Sequence, residues 1–272
     1  MRSLFCLAIF AFSQATCVAQ DLDLDFPDFS DTTGLQLNGD ATQVGNVLRL
    51  SETSAFSGGS VFSTNLIDFS DENSFSTFFQ FQISDSGGIG DGDGAGADGL
   101  VFAIQPNANN VGTAGGQIGY GGIPSSIGIE FDTFNNGAGF GDPDGNHVGI
   151  DLNGNIVSVA TASESERFNN GEIWNAWIEY NGLLDELEVR WSLDDIRPED
   201  SLLSLDIDLF SVIGQDSAFV GFTSATGSGF GNHDLLQWQF SGQLAQVPEP
   251  ASSSLIAIVS VGLFCRRGKR AL

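Results

Sequence analysis

The sequence predicts an all-β chain that folds as a single β-sandwich. Short apolar stretches with a two-residue period recur between residues 35 and 240, and on a strand such residues share one face. Gly, Asn, Asp and Ser separate these stretches, which is typical of the turns in a sandwich. We expect at most one helical turn, at residues 197–203. With 272 residues, the chain is long enough for one large hydrophobic core.

The N-terminal segment has the features of a secretory signal peptide. A basic residue precedes an apolar run at residues 4–12, and small residues follow at Ala15, Cys17 and Ala19. We predict that residues 1–19 are removed and that the rest of the chain is exported. A lipoprotein with Cys17 acylated is disfavoured, because residues 14–16 match the usual Leu-led motif poorly.

Charge and cysteine usage exclude two classes of function. All 35 acidic residues lie between residues 21 and 249, whereas five of the nine basic residues lie at the two ends. Affinity for nucleic acid needs Lys and Arg to neutralise phosphates, so we expect no nucleic acid partner. The three cysteines, Cys6, Cys17 and Cys265, lie in the terminal segments. The body therefore lacks a disulfide framework, a cysteine nucleophile and a thiolate metal site.

The body predicts a series of strands joined by polar turns. A long aromatic strand covers residues 74–83, and a hairpin covers residues 171–192, whose tryptophans we expect in the core. A Gly- and Asp-rich stretch, residues 87–99, occurs as a single copy, whereas calcium-binding repeats need at least three. We therefore expect Asp91 and Asp93 to lie in a flexible surface loop.

Residues 127–151 predict a strand, a loop and a second strand rich in metal-binding side chains. Glu130 and Asp132 lie on the face opposite the apolar residues, and a hairpin would return His147 towards them. Adjacent carboxylates need a cation, a shared proton or full exposure to water. Carboxylate and amide oxygens suit Ca²⁺, and an imidazole suits Mn²⁺ or Zn²⁺. A solvated acidic hairpin is the alternative, but the recurrence of Glu, Asp, Asn and His favours metal.

Four motifs, in order along the chain, resemble legume-type (L-type) lectins. They are Ala97-Asp98-Gly99-Leu100-Val101-Phe102, Gly115-Gly116-Gln117-Ile118-Gly119, Glu130-Phe131-Asp132-Thr133-Phe134 with its His147-Val148-Gly149-Ile150-Asp151 partner, and Val220-Gly221-Phe222-Thr223-Ser224-Ala225-Thr226-Gly227. The resemblance implies a concanavalin-like jelly-roll β-sandwich that occupies residues 20–243 as one domain.

The resemblance also implies two metal sites, one for Ca²⁺ and one for a transition metal, expected to be Mn²⁺. The ligands implied for the transition metal are Glu130, Asp132, Asp142 and His147. The ligands implied for Ca²⁺ are Asp132, Asp142, Asn136 and the backbone carbonyl of Phe134. Because the Gly-rich insert at residues 137–141 is longer than expected, whether Asp142 or Asp144 bridges the metals stays open.

For carbohydrate, the resemblance implies a site in which Asp98 accepts from a sugar hydroxyl and follows a cis peptide. Gly116 would donate its backbone N–H, because a residue without Cβ allows close approach. Asn136 would bond to a hydroxyl, and the ring of Phe134 would offer an apolar face. Residues 228–232 occupy the variable loop that sets sugar choice, which makes Gly229 and Phe230 candidate contacts. We expect His233 to be structural.

The C-terminal segment, residues 244–272, resembles the PEP-CTERM sorting signal of Gram-negative bacteria. Pro248-Glu249-Pro250 precedes an apolar run at residues 251–265 and then a basic cluster. The run is short against the ~20 residues of a comfortable bilayer span. The resemblance implies transient membrane anchoring, processing by an exosortase, and a place in the outer envelope or extracellular matrix. The alternative is a retained membrane anchor.

The combined prediction is a lectin that binds a glycan or exopolysaccharide without chemistry. One alternative is a structural, adhesive matrix protein without a defined glycan. A glycan hydrolase is disfavoured, because glucanases with this architecture use Glu-x-Asp-x-x-Glu and Asn135 stands where the second Glu is required. Association into a homo-oligomer is left open.

Overall fold

Two antiparallel β-sheets, packed face to face, make up the part of the chain that the computed structural model describes, residues 23–70, 72–112 and 117–242. The predicted signal peptide, the C-terminal sorting segment and Gly116 lie outside these described residues. The predicted all-β sandwich is therefore confirmed. The fold is built so that strands distant in sequence become neighbours, which brings the motifs at residues 97–102, 130–134 with 147–151, and 220–227 to one sheet.

The eight-stranded back sheet has the strand order β14-β13-β12-β7-β16-β4-β3, with β1 paired to β16. Its strands are β1 (Leu24–Phe26), β3 (Thr42–Val44), β4 (Val47–Ser51), β7 (Phe75–Gly88), β12 (Ile173–Asn181), β13 (Glu186–Ser192), β14 (Leu203–Asp206) and β16 (Gly229–Ser241).

The eight-stranded front sheet has the order β11-β10-β9-β8-β15-β5-β2, with β6 paired to β15. Its strands are β2 (Leu35–Gly39), β5 (Gly58–Ser63), β6 (Ile67–Asp68), β8 (Gly99–Gln105), β9 (Ile127–Asp132), β10 (His147–Leu152), β11 (Asn155–Ser163) and β15 (Ser217–Ala225).

Aromatic side chains fill the space between the sheets. The ring of Phe79, on the back sheet, lies 4.9 Å from the ring of Phe222 and 6.2 Å from that of Phe102, both on the front sheet. The ring of Phe131, next to Glu130 on β9, is 5.8 Å from Phe79. The alternation that buries Phe131 therefore turns Glu130 and Asp132 to the outer face of the front sheet.

The predicted hairpin of residues 171–192 is present as β12 and β13. Trp174 and Trp191 are buried in the core as expected. Trp177 differs, because it is only half-buried and pairs with Phe78, whose ring centroid is 5.3 Å away on the neighbouring strand.

The predicted helical turn at residues 197–203 is wrong. Arg197 forms an ion pair with Glu179, the next residue is Pro198, and Leu203 already pairs with Val189 in the sheet. The helix of the described residues is α1 (Leu209–Ile213), where Asp208 caps the N-terminus by accepting from the Ser211 N–H. Within the described residues, no helix has the length and apolar character needed to cross a bilayer.

The prediction that residues 228–232 form a loop is also corrected. Gly229 pairs with Gly88 and Phe230 with Gly87, so β16 already begins at Gly229. The ring of Phe230 lies over the two glycines, and a Cβ atom on Gly87 would stand 2.8 Å from it. Small residues on β7 thus extend the pairing, which leaves only Ser228 outside the strand.

Candidate functional site

Three neighbouring strands of the front sheet, β8, β9 and β10, bring the predicted ligands to one end of the sheet. Asp132 lies opposite His147 on one side and opposite Gly99 on the other. Asp98 directly precedes Gly99, so it lies beside Asp132. The predicted hairpin of β9 and β10 is confirmed, and it returns the imidazole to the carboxylates.

A group of side chains at this end of the sheet has the spacing of a metal centre. Asp132, Asp142 and His147 each offer a ligand atom, and these atoms lie within 4.8 Å of one another. Glu130 adjoins the group, since its Oε1 is 3.5 Å from His147 Nε2. Asp144 lies at the edge of this group, because its side chain is 42% exposed and its Oδ1 is 3.8 Å from His147 Nδ1. The sequence left open whether Asp142 or Asp144 is the bridging ligand, and this geometry favours Asp142.

Backbone N–H groups of the connecting loop orient the carboxylates of this group. The Phe134 N–H donates to Asp132 Oδ1 at 2.6 Å, and the Asn136 N–H donates to Asp142 Oδ2 at 2.5 Å. The side chains of Phe134 and Asn136 are half-buried beside them. The loop that carries the implied calcium ligands is therefore folded around the two carboxylates.

Burial dominates the electrostatics of the site. It raises the pKa of Asp98 to about 7, with a further contribution from the charge of Asp142. Burial, followed by the charge of Glu130, raises the pKa of Asp132 well above its ordinary value. Burial also favours neutral His147, but the hydrogen bond to Glu130 and the nearby carboxylates outweigh it and raise the His147 pKa.

The donor set has the chemistry to hold a metal ion. Carboxylate oxygens with one imidazole suit a hard ion beside a transition metal. Two buried atoms of the site, Asp98 Oδ2 and His147 Nδ1, have no hydrogen-bond partner among the described residues. Excess negative charge and unpartnered buried atoms both favour a bound cation over a network of hydrogen bonds.

Ser158 and Asp151 extend the site behind Glu130, and sequence reasoning did not place Asp151 among the ligands. The Ser158 hydroxyl lies 2.7 Å from Glu130 Oε1 and 2.7 Å from Asp151 Oδ1. Asp151 is fully buried. The signal for Asp151 was its position four residues after His147, which places both side chains on the same face of β10.

Asp98 is held by its backbone, while its Oδ2 has no hydrogen-bond partner among the described residues. A cis peptide joins it to Ala97, as the resemblance implied. Its N–H donates to the Ala225 carbonyl at 3.1 Å, and its carbonyl accepts from the Thr133 N–H at 3.0 Å. A Cβ atom on Gly227 would lie 3.6 Å from Asp98 Oδ2, so the glycine leaves the space beside the carboxylate open.

The Gly- and Asp-rich stretch is not the free surface loop expected from the sequence. Asp91 Oδ2 accepts from the Asn135 N–H at 2.7 Å, and Asp93 lies 3.6 Å from the Arg167 guanidinium. Burial raises the pKa of Asp93 to about 6, with the hydrogen bond to Asp91 next in importance. The stretch therefore connects the segment before Asp98 to the loop that carries the implied calcium ligands.

The other residues predicted to contact carbohydrate do not all lie near Asp98. Gly229 lies against the segment before Asp98, because a Cβ atom on Gly229 would stand 2.9 Å from Ala97 Cβ. Phe230 packs on the glycines of β7, and Gly116 is outside the described residues. The structure thus brings Gly229 and the half-buried Phe134 and Asn136 to the same end of the sandwich as Asp98.

The chain is similar to proteins that bind carbohydrate. A family model described as the legume lectin domain matches residues 21–256. The L-type lectin-domain containing receptor kinase IV.2 of Arabidopsis thaliana is 32% identical over 247 residues, which cover 82% of this chain and 36% of the kinase. The chain spans 23% to 38% of the receptor kinases that it matches first.

Solved structures of lectins share the fold. Lectin I-B4 from Griffonia simplicifolia, in its metal-free form, is 30% identical with a TM-score of 0.68, covering 80% of this chain and 98% of that lectin. Lectin UEA-II complexed with galactose is 27% identical with a TM-score of 0.67, covering 82% of this chain and 99% of that lectin.

Proposed function

Because the chain belongs to the legume lectin family, we propose that it is an exported lectin that binds carbohydrate at Asp98 with Ca²⁺ and a transition metal, Mn²⁺, as cofactors. One observation carries the proposal. The buried carboxylate of Asp98, whose Oδ2 has no hydrogen-bond partner in the described part of the chain, lies directly beside the group formed by Asp132, Asp142 and His147. A carboxylate with a free oxygen is a strong acceptor for the hydroxyls of a sugar.

Different residues of the chain would bind the two metals and the sugar. Glu130, Asp132, Asp142 and His147 would hold the transition metal, and Asp132, Asp142, Asn136 and the Phe134 carbonyl would hold Ca²⁺. The cations would supply positive charge that keeps the carboxylates ionised and the loops ordered. Asp98 and Asn136 would bond to sugar hydroxyls, Gly116 would donate its backbone N–H, and Phe134 and Gly229 would shape the apolar side.

Ordered loops matter because sugar recognition is polar and weak. Each hydrogen bond to a sugar replaces one to water, so its net contribution is only about 0.5–1.5 kcal/mol. Loops that are already folded avoid a further entropic cost on binding. The contacts of Asp98, Asp132 and Asp142 with neighbouring backbone N–H and carbonyl groups support this role.

The cellular setting is proposed from the sequence alone. We propose that residues 1–19 direct export and that an exosortase processes residues 244–272 after transient membrane anchoring. The mature lectin would then bind exopolysaccharide in the outer envelope or matrix of a Gram-negative bacterium. The acidic body and the order of parts in the tail support this setting. Mass spectrometry of the protein secreted by an exosortase-bearing host would give the mature termini.

A glycan array tests the function. The test protein is the full chain with Ca²⁺ and Mn²⁺ in excess, and galactose, with which the similar lectin UEA-II is complexed, is the first monosaccharide probe. We expect array signals that disappear after chelation and in Asp98→Asn, while the circular dichroism spectrum still shows a folded β-protein. The control variant is Asp28→Asn, which changes a carboxylate in the turn between β1 and β2.

Each other outcome would contradict the lectin proposal in a distinct way. Binding that survives chelation and Asp98→Asn would exclude this site as the cause. An array that stays blank at saturating Ca²⁺ would favour a matrix protein without a defined glycan. Release of reducing ends from a polysaccharide would favour a hydrolase.

A further inference from the structure

Phe56 is an exposed aromatic residue on the short connection between β4 and β5. Its side chain is 70% exposed, and its φ angle is 61°. This left-handed region is favoured by Gly and Asn and is uncommon for bulky residues. Among the described residues, Ile118 is the other apolar residue with positive φ, and its side chain is buried in a hydrophobic cluster. Core packing therefore accounts for Ile118 but not for Phe56.

The connection that carries Phe56 is tightly held at residues 53–57. The Phe56 N–H donates to the Gly227 carbonyl at 3.0 Å. Next to it, the Ser57 N–H donates to Thr226 Oγ1 at 2.9 Å, and the Thr226 N–H donates back to the Ser57 carbonyl at 2.8 Å. Further along, the Thr53 N–H donates to Asn232 Oδ1 at 2.9 Å. The ring is thus presented to solvent by a fixed backbone rather than by a free loop.

Gly227 connects Phe56 to the candidate carbohydrate site. Its carbonyl accepts from Phe56, and its Cα faces Asp98, because a Cβ atom there would lie 3.6 Å from Asp98 Oδ2. Phe56 and Asp98 therefore both adjoin Gly227, Phe56 through its backbone N–H and Asp98 through its carboxylate. Gly227 therefore links the backbone that carries Phe56 to the residue proposed to hold the first sugar unit.

A fixed, exposed aromatic ring is suited to stacking on the C–H face of a sugar. Aromatic side chains provide large contact area and lose little conformational entropy on binding. A fixed loop lowers the ordering cost further. An exposed apolar ring on a residue with positive φ does not stabilise the fold. Such residues occur mainly at functional sites, which is why we consider a role in binding.

We propose that Phe56 is a specificity-determining residue that stacks on the second unit of an oligosaccharide whose first unit is held at Asp98. The inference rests on the proposed carbohydrate-binding function and deepens it, because it names the ligand class. The protein then prefers linear oligosaccharides or polysaccharide chains to free monosaccharides.

Calorimetry on variants of the full chain, loaded with Ca²⁺ and Mn²⁺, tests this assignment. The probes are three matched pairs: galactose with a linear galactotriose, mannose with a mannotriose, and glucose with a cellotriose. We expect Phe56→Ala to weaken trisaccharide binding by about tenfold, equivalent to about 1.4 kcal/mol, and to change monosaccharide binding by less than about twofold. Phe56→Trp should keep trisaccharide affinity.

Two further variants separate stacking from folding. Phe56→Asn introduces a residue that tolerates positive φ, so it should melt no lower than the wild type and still lose trisaccharide affinity. Leu183→Ala is the matched control, since Leu183 is 73% exposed in the turn between β12 and β13. It should leave both affinities unchanged.

The outcomes distinguish this inference from the function on which it rests. A wild type that binds none of the six sugars, on an array that is also blank, would overturn both. Wild-type binding that Phe56→Ala leaves unchanged, or weakens equally for monosaccharide and trisaccharide, would overturn the role of Phe56 alone.

Discussion

Gly149 lies directly opposite Glu130 on the neighbouring strand, and a Cβ atom at position 149 would overlap both Glu130 Oε1 and Ser158 Oγ. The Glu130 carboxylate therefore lies over the glycine backbone, in a space that any other residue would fill. The position of a predicted metal ligand thus depends on the absence of a side chain on the next strand.

Gly149→Ala should weaken transition-metal binding. The added methyl group would push the Glu130 carboxylate away from His147, and changes that reorient metal ligands typically cost about 10- to 100-fold in affinity. Competition with a metal chelator measures the Mn²⁺ affinity. The control is Gly139→Ala in the loop between β9 and β10, where a Cβ atom would meet nothing within 4 Å. Equal affinity in both variants would show that Glu130 is not a ligand.

Asp91→Ala should weaken Ca²⁺ binding, although Asp91 is not a predicted ligand. Its carboxylate accepts from the Asn135 N–H at 2.7 Å and so holds the loop that carries Asn136. We expect a loss of about fivefold, since a hydrogen bond at a half-exposed site contributes about 1 kcal/mol. A fluorescent chelator competing for Ca²⁺ measures this loss.

Asp91→Asn separates the hydrogen bond from the negative charge. Its amide oxygen can still accept from the Asn135 N–H, so calcium affinity should stay near the wild-type value. If Asp91→Asn loses as much affinity as Asp91→Ala, then long-range charge, and not the bond to the loop, explains the effect.

Phe79→Ala should strongly destabilise the sandwich. The Phe79 ring contacts rings on both sheets, including Phe222 at 4.9 Å and Phe131 at 5.8 Å. Removing a fully buried Phe ring typically costs about 3–5 kcal/mol because it leaves a cavity. Urea unfolding measures the loss. Leu183→Ala, at an exposed turn, should change the free energy of unfolding by less than about 0.5 kcal/mol. Similar costs for the two variants would contradict this assignment of the core.

Sequence patterns within β9 and β10 were sufficient to predict the side chains that these two strands bring to the site. Alternation along β9 was enough to place Glu130 and Asp132 on one face, and the expectation that β9 and β10 pair as a hairpin was enough to return His147. The bond between Asp91 and Asn135 joins residues 44 positions apart, so no local pattern could reveal it. The Gly- and Asp-rich composition indicated a loop but not what the loop would contact.

Two other features were missed for different physical reasons. The prediction of a helical turn at residues 197–203 failed because two interactions outweighed a weak helical propensity. These are the ion pair of Arg197 with Glu179 and the pairing of Leu203 with Val189 in the sheet. The actual helix had a signal in Asp208 as N-cap and Gly214 as C-cap, but it is only five residues long. Phe56 had no signal, because one exposed aromatic residue has no period and its backbone angle is set by distant partners.

His233 predicts how stability depends on pH. It is fully buried on β16, with Nδ1 2.8 Å from Ser51 Oγ, and burial lowers its pKa to about 4. An unfolded chain has an ordinary His pKa of about 6.5, so the unfolded state binds a proton that the folded state does not. This contribution to stability is complete above about pH 6.5 and is lost as the pH falls towards about 4.

Urea unfolding of the wild type and His233→Asn in chelator at several pH values isolates this contribution. Both proteins share the other titrating groups, so these cancel in the difference. At about pH 7.5 the wild type should be the more stable, because the variant loses ring packing. Between about pH 7.5 and about pH 4.5 the advantage should shrink by roughly 2–3 kcal/mol. An advantage that stays constant over this range would mean that the folded and unfolded pKa values of His233 are equal, and one that grows as the pH falls would mean that folding raises the His233 pKa.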